Sequence, residues 1–159
     1  MSIHFSESDL LNIAITIEHR GIAFYEVMAK TTENEVVNHT LQHLANMERE
    51  HIQTFQKMLD ELGESPPAET ASPEYQEYVQ ALVDSAVFTD DLIASEMAAQ
   101  ADTVLKILEL AISAEKDSVL FYYEMRGILP ARVEVINRVI TEEKSHLWKL
   151  SKLKKELEG

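Results

Sequence analysis

Four stretches of this 159-residue chain carry their apolar residues alternately three and four positions apart, a spacing that suits a long α-helix and not a strand. They read Leu11, Ala14, Glu18, Gly21, Tyr25, Met28; Leu41, Leu44, Glu48, His51, Phe55, Met58, Leu62; Leu108, Ala111, Glu115, Ser118, Tyr122, Met125; and Ile136, Val139, Glu143, His146, Leu150, Leu153, Leu157. Each stripe is broken near its middle by polar residues, and the breaks come in matching pairs. Glu18, Gly21, Tyr25 and Met28 recur as Glu115, Ser118, Tyr122 and Met125 at an offset of 97, and Glu48 and His51 recur as Glu143 and His146 at an offset of 95. The repeat predicts two helix pairs, each with a lone Glu on one helix and Glu-x-x-His on the next.

Punctuation sets the expected boundaries. Ser6, with Asp9 three residues on, opens the first helix, which runs to about Lys30. Thr32 with Glu35 opens the second, which stops at Gly63. Residues 64–71, Glu-Ser-Pro-Pro-Ala-Glu-Thr-Ala, form a linker, and Ser72-Pro73 restarts a helix. The stretch to about Gln100 has a stripe at Tyr75, Tyr78, Leu82 and Ala86 and reads as one broken helix or two. A long helix follows from about Asp102 to Ile128, ended by Pro130, and the last runs from about Ala131 to Leu157. Lys149, Lys152, Lys154 and Lys155 suit the C-terminal end of its dipole. Only 4 Gly and 4 Pro leave too few turn residues for a barrel or sandwich. The expected fold is all-α, a single domain over residues 1–159, with a helix pair at 7–62, a helical crossover at 63–102 and a second pair at 103–157.

Composition removes several function classes. With no Cys, disulfide frameworks, thiolate catalysis and cysteine-ligated zinc or iron are excluded. A net charge of −14 argues against nucleic acid or an anionic membrane as partner. No apolar stretch approaches the roughly 18 residues that span a bilayer. Residues Met1 to Glu7 lack the basic and apolar regions of a secretory signal, so a soluble cytoplasmic protein is expected.

Four carboxylates on inward seams need an explanation, because burying one unpaired costs several kcal/mol or drives its pKa upward, and four together repel. Two divalent cations balance four Glu charges, and two His supply neutral nitrogen ligands. Residues three apart share a helix face, so Glu48 with His51, and Glu143 with His146, can grip one centre from one side. Glu from two helices and Glu-x-x-His from two others is the ligand pattern of di-iron and di-manganese carboxylate bundles. A wet or capped polar core is the alternative reading. Tyr25 and Tyr122 are candidates to orient carboxylates or hand over protons, and core tyrosines with a satisfied hydroxyl explain them equally well. Gly21 and Ser118 leave room beside the metals for a diatomic or peroxide, although close helix packing is the commoner reason for small residues. His19 reads as a solvated or edge residue, His39 and His43 as a partly exposed pair, and His4 as part of a frayed terminus. Glu50 and Glu142 fall about 100° from their neighbouring ligands around the helix. Trp148 is expected to pack against another helix or subunit.

These residues resemble the rubrerythrins, within the ferritin-like superfamily. Glu18 followed by Phe24-Tyr25 and Glu115 followed by Phe121-Tyr122 are similar to the family's first and third helices. Glu48-Arg49-Glu50-His51 and Glu142-Glu143-Lys144-Ser145-His146 are similar to its second and fourth. The resemblance implies a ferritin-like four-helix bundle with a long crossover between the second and third bundle helices. It implies two iron ions held by Glu18, Glu48, His51, Glu115, Glu143 and His146, with Glu48 and Glu143 bridging and Glu18 and Glu115 terminal. It also implies reduction of hydrogen peroxide with electrons from an external donor protein, since no Cys is present to build a rubredoxin domain. Where well-studied rubrerythrins have a further Glu three residues after the third-helix Glu, this chain has Ser118; the remaining four Glu and two His are similar to the ferroxidase centre of bacterioferritin.

Three functions follow as expectations. The first is a di-iron redox enzyme acting on peroxide or oxygen; the second is a ferroxidase that handles iron. The third is a non-catalytic helical protein whose crossover, with Tyr75, Tyr78 and Phe88, forms an interaction surface. The ligand types suit iron, manganese or zinc. A homo-oligomer, most simply a dimer, is expected from the bundle type.

Overall fold

A computed structural model describes residues 5–62, 72–86, 96–97 and 103–159. The linker at 64–71, the stop at Gly63, and His4 and Phe88 lie outside the described residues. Five α-helices are described in full: α1 (Glu7–Thr31), α2 (Glu35–Leu62), α3 (Pro73–Asp84), α4 (Val104–Ile128) and α5 (Val133–Glu158). Glu96 and Met97 are also helical, and α3 closes at Ser85, whose N–H bonds to Ala81 O; beyond Ala86 the rest of the stretch to about Gln100 lies outside the described residues.

Local chemistry explains most of the boundaries. Ser6 and Asp9 form a reciprocal capping box: Asp9 N donates to Ser6 Oγ at 3.1 Å and Ser6 N to Asp9 Oδ2 at 2.9 Å. Thr103 caps α4 by accepting from Lys106 N at 3.1 Å. The second helix opens at Glu35 and not at Thr32. Thr32 belongs to the end of α1, its N–H bonding to Met28 O, and Asn34 Oδ1 takes the capping role by accepting from Val37 N at 3.0 Å. Pro130–Arg132 form a 3-10 turn between α4 and α5, so the last helix starts two residues later than expected.

The helices pack as two hairpins, α1 along α2 and α4 along α5, with α1 beside α4 and α2 beside α5. Side-chain pairing fixes their directions. Tyr25 meets Glu115 while Tyr122 meets Glu18, which requires α1 and α4 to be antiparallel. His51 approaches Glu143 while His146 approaches Glu48, which makes α2 and α5 antiparallel. It follows that α2 and α4 run in the same direction, and the chain must return along the bundle between them. Its described part, α3, lies against α4. The face of α3 that turns inward is Gln76 and Val79, one position off the expected Tyr75–Tyr78 stripe; Tyr78 is 44% exposed. Ser72 caps this helix, and Gln76 Oε1 accepts from Phe5 N at 2.8 Å, which locks its rotation.

Two apolar clusters fill the bundle. One gathers Phe24, Met28, Leu41, Leu44, Leu108 and Leu150, and the other Leu11, Phe55, Met58, Phe121, Met125 and Ile136. The polar interruptions of all four stripes fall between them. No helix among the described residues is long and apolar enough to cross a membrane.

Candidate metal centre

The antiparallel pairing brings Glu18, Glu48, His51, Glu115, Glu143 and His146 into one buried layer, each no more than 3% exposed. Ligand-type atoms of Glu18, Glu48, His51 and Glu143 lie within 4.8 Å of one another, and so do those of Glu48, Glu115, Glu143 and His146. The two quartets share Glu48 and Glu143. His51 Nδ1 lies 2.8 Å from Glu143 Oε1, 3.1 Å from Glu48 Oε2 and 3.5 Å from Glu18 Oε1. His146 Nδ1 faces Glu115 at 3.7 Å, Glu48 at 3.9 Å and Glu143 at 4.0 Å. The two imidazoles are 6.0 Å apart between ring centres and nearly parallel.

Tyr25 and Tyr122 sit directly behind the carboxylates, and they cross. The Tyr25 hydroxyl donates to Glu115 Oε1 on α4, and the Tyr122 hydroxyl donates to Glu18 Oε1 on α1. Each tyrosine therefore steadies the Glu of the opposite half. The same contacts satisfy two buried hydroxyls and brace two carboxylates, so they accord with both readings left open by the sequence.

Crowded carboxylates in a dry layer compete for protons. Burial, aided by the charges of Glu143, Glu18 and Glu115, holds the Glu48 carboxyl well above the usual carboxylate range. Burial does the same to Glu143, with Glu115 and Glu18 adding to it. Glu115 goes the other way: burial alone raises it, but the nearness of Glu143 and His146 and the hydrogen bond from Tyr25 outweigh that and bring it down to about 2. Burial disfavours the His51 cation, yet the nearness of Glu143 and Glu18 carries its pKa up to about 11. Burial and the adjacent carboxylates push both tyrosine hydroxyls well above their ordinary value. Protons thus supply positive charge that the layer demands.

They do not supply enough of it in the right places. Glu115 Oε2, both oxygens of Glu143 and His146 Nδ1 are buried without an aligned hydrogen-bond partner. All four atoms belong to the second quartet, and Glu143 to both. Buried polar atoms are rarely left so. Hard carboxylate oxygens with imidazole nitrogen, converging in two sets that share two members, fit a pair of divalent transition-metal ions.

A cavity of about 40 Å³ adjoins the layer on its Gly21 side, lined by Glu18, Gly21, Tyr25, Glu48, Glu115 and Ser118. Leu82, Val83 and Ala86, from α3 and the residues after it, also line it. A water needs roughly 10–15 Å³ measured this way, so the space suits a molecule of two or three heavy atoms. A Cβ at Gly21 would lie 3.8 Å from Glu48 Cγ and 3.9 Å from Tyr25 Cε2, an ordinary contact, so packing alone does not demand glycine here.

His19, His39, His43 and Glu50 are exposed and take no part in the layer. Trp148 is 62% exposed and borders a surface hollow with His39, Thr40 and His43 of α2; the Lys152 ammonium sits over its ring, 5.4 Å from the centroid. Glu142 is the residue that spacing along one helix passes over: its Oε2 lies 2.7 Å from His51 Nε2. Only the pairing of α5 with α2 reveals it.

Comparison with known proteins agrees with this geometry. A match to the rubrerythrin family spans residues 9–104. Among solved structures, a ferritin-like diiron-carboxylate protein from Thermotoga maritima is similar over 96% of this chain and 97% of its own, with 31% identity and a TM-score of 0.71. No curated protein matches.

Proposed function

The chain belongs to the rubrerythrin family, and on that premise we propose that it is a di-iron redox protein that reduces hydrogen peroxide, or oxygen, with electrons from an external donor protein. The observation that carries this reading is the pair of buried quartets sharing Glu48 and Glu143. Glu48 and Glu143, common to both quartets, would hold both ions; Glu18 and His51 would complete the hold on one, and Glu115 and His146 on the other. When bound, a pair of ferrous ions would make two electrons available together to an O–O bond, without a one-electron radical.

The chain's own residues supply the rest. Gly21 and Ser118 keep space open beside the carboxylates for a peroxide-sized molecule. The surrounding apolar clusters exclude bulk water. Converting peroxide to two waters takes two electrons and two protons, and the hydroxyl of Tyr25, which lines that space, is a proton held at its edge. Tyr122 holds Glu18 from the far side, so the two terminal carboxylates keep their aim.

A second reading is favoured by Ser118. Its hydroxyl bonds back to Ala114 O at 3.2 Å and offers no carboxylate to the layer. A site with four Glu and two His also suits ferrous iron as a substrate, oxidised by oxygen and passed on. Rapid mixing of anaerobically iron-loaded protein separates the two. The peroxidase reading predicts faster oxidation by peroxide than by oxygen, with two iron retained per chain through repeated reduction. Faster reaction with oxygen, with iron leaving the site, supports the ferroxidase. Failure to take up iron at all would leave neither.

A further inference from the structure

Glu142 lies outside both quartets, yet it touches one of the histidines through the ring nitrogen turned away from the layer, Oε2 to Nε2, at 2.7 Å. On the inner side, His51 Nδ1 faces Glu143, Glu48 and Glu18. We infer that Glu142 makes the two metal positions unequal, so that the position built on His51 and Glu18 binds a divalent ion more tightly than the one built on His146 and Glu115. The inference rests on the two-metal reading above and adds an order of filling to it.

The reason lies where the internal repeat breaks. The offset of 95 that relates His51 to His146, and Glu48 to Glu143, pairs Glu142 with Met47. Both residues are half-buried, but a thioether is a weak acceptor with no charge. A metal ion held by Nδ1, the nitrogen that faces the carboxylates, would leave the single ring proton on Nε2. At His51 a carboxylate stands ready to accept that proton in a hydrogen bond, fixing the tautomer, holding the ring in place and making Nδ1 more basic. Met47, the repeat-related residue in the half that holds His146, offers none of this. A carboxylate behind a ligating histidine is typically worth about 10–100-fold in metal affinity. Glu142 is thus a positioning residue that acts through His51, and 34% exposure of its side chain leaves it outside the dry layer itself.

Two divalent ions a few ångströms apart repel, so unequal steps would appear even in a symmetric site. Variants therefore carry the test. Anaerobic titration with cobalt(II), followed by visible absorption and calorimetry, resolves the two binding steps of the full-length chain. Glu142→Met should weaken the first step by about 10–100-fold and leave the second within about twofold. Glu142→Gln, which keeps an acceptor without the charge, should restore part of the loss. Met47→Glu should strengthen the second step by a comparable factor and leave the first nearly unchanged. Equal weakening of both steps by Glu142→Met would assign Glu142 a merely structural role and overturn the inference. So would a Glu142→Met protein whose steps match the parent's. Binding of fewer than two cobalt ions by the parent chain would instead count against the two-metal reading itself.

Discussion

At the scale of single residues, the layer is held by two crossed tyrosines. Removing the hydroxyl of Tyr122 leaves Oε1 of buried Glu18 without its phenolic donor, and Tyr25→Phe does the same to Glu115. Each Phe variant should lose about 1–3 kcal/mol in denaturant melts of the metal-free protein. Loss below about 0.5 kcal/mol would mean that the hydroxyls bear little of the carboxylates' cost. Gly21 makes the opposite prediction. Alanine meets only ordinary contacts there, so Gly21→Ala should gain up to about 1 kcal/mol of helix stability. Gly21→Leu should fill the cavity and slow peroxide oxidation while two iron remain bound; unchanged rates would detach the cavity from the chemistry. The six clustered residues were legible in the sequence because a carboxylate inside an apolar stripe is physically anomalous wherever the helix packs. Glu142 and the crossing of the tyrosines were not. Both depend on which helix lies beside which, and stripe spacing carries no information about neighbours.

Elements were legible to the extent that their signals are local. The Ser6–Asp9 box stands where capping chemistry predicts, while α4 opens at Val104 behind a Thr103 cap, just after the expected start near Asp102. The start of α2 was misplaced because Thr32 and Asn34 are both good caps two residues apart, and the end of α1 takes Thr32 first. Asn34→Ala should therefore cost about 1 kcal/mol, and Thr32→Ala distinctly less, in thermal melts. The reverse order would restore Thr32 as the cap. The rotation of α3 was also misread. Tyr75 and Tyr78 form an attractive stripe, but Tyr75 spends its hydroxyl on Glu124 O at 2.9 Å, and the inward positions go to Gln76 and Val79. A buried glutamine that satisfies a distant backbone N–H is a tertiary choice that propensity does not reveal.

For the molecule as a whole, the layer links stability, protons and metal. Glu48 and Glu143 are raised above the ordinary 4.5, and His51 is raised from 6.5 to about 11, so the folded chain keeps protons that the unfolded chain releases. Their stabilising contribution is complete below the unfolded values and is lost as pH rises toward the folded ones. Glu115, lowered to about 2, contributes above 4.5 and loses its effect as pH falls toward 2. The metal-free protein should accordingly melt at progressively lower temperature from about pH 6 to pH 9. Since bound metal replaces those protons, the gain in melting temperature on adding a divalent ion should grow over the same range. A flat metal-free profile would mean that the carboxylates are not sharing protons as described. The bundle itself was legible from the internal repeat, which dictated two similar hairpins with their polar levels aligned. The most direct test of the central claim is the iron content of protein loaded anaerobically without an affinity metal, beside a Glu48→Ala, Glu143→Ala double variant. The parent should hold two iron per chain, and the variant should retain none. A parent that binds no iron, or a variant that still holds two, would contradict that claim.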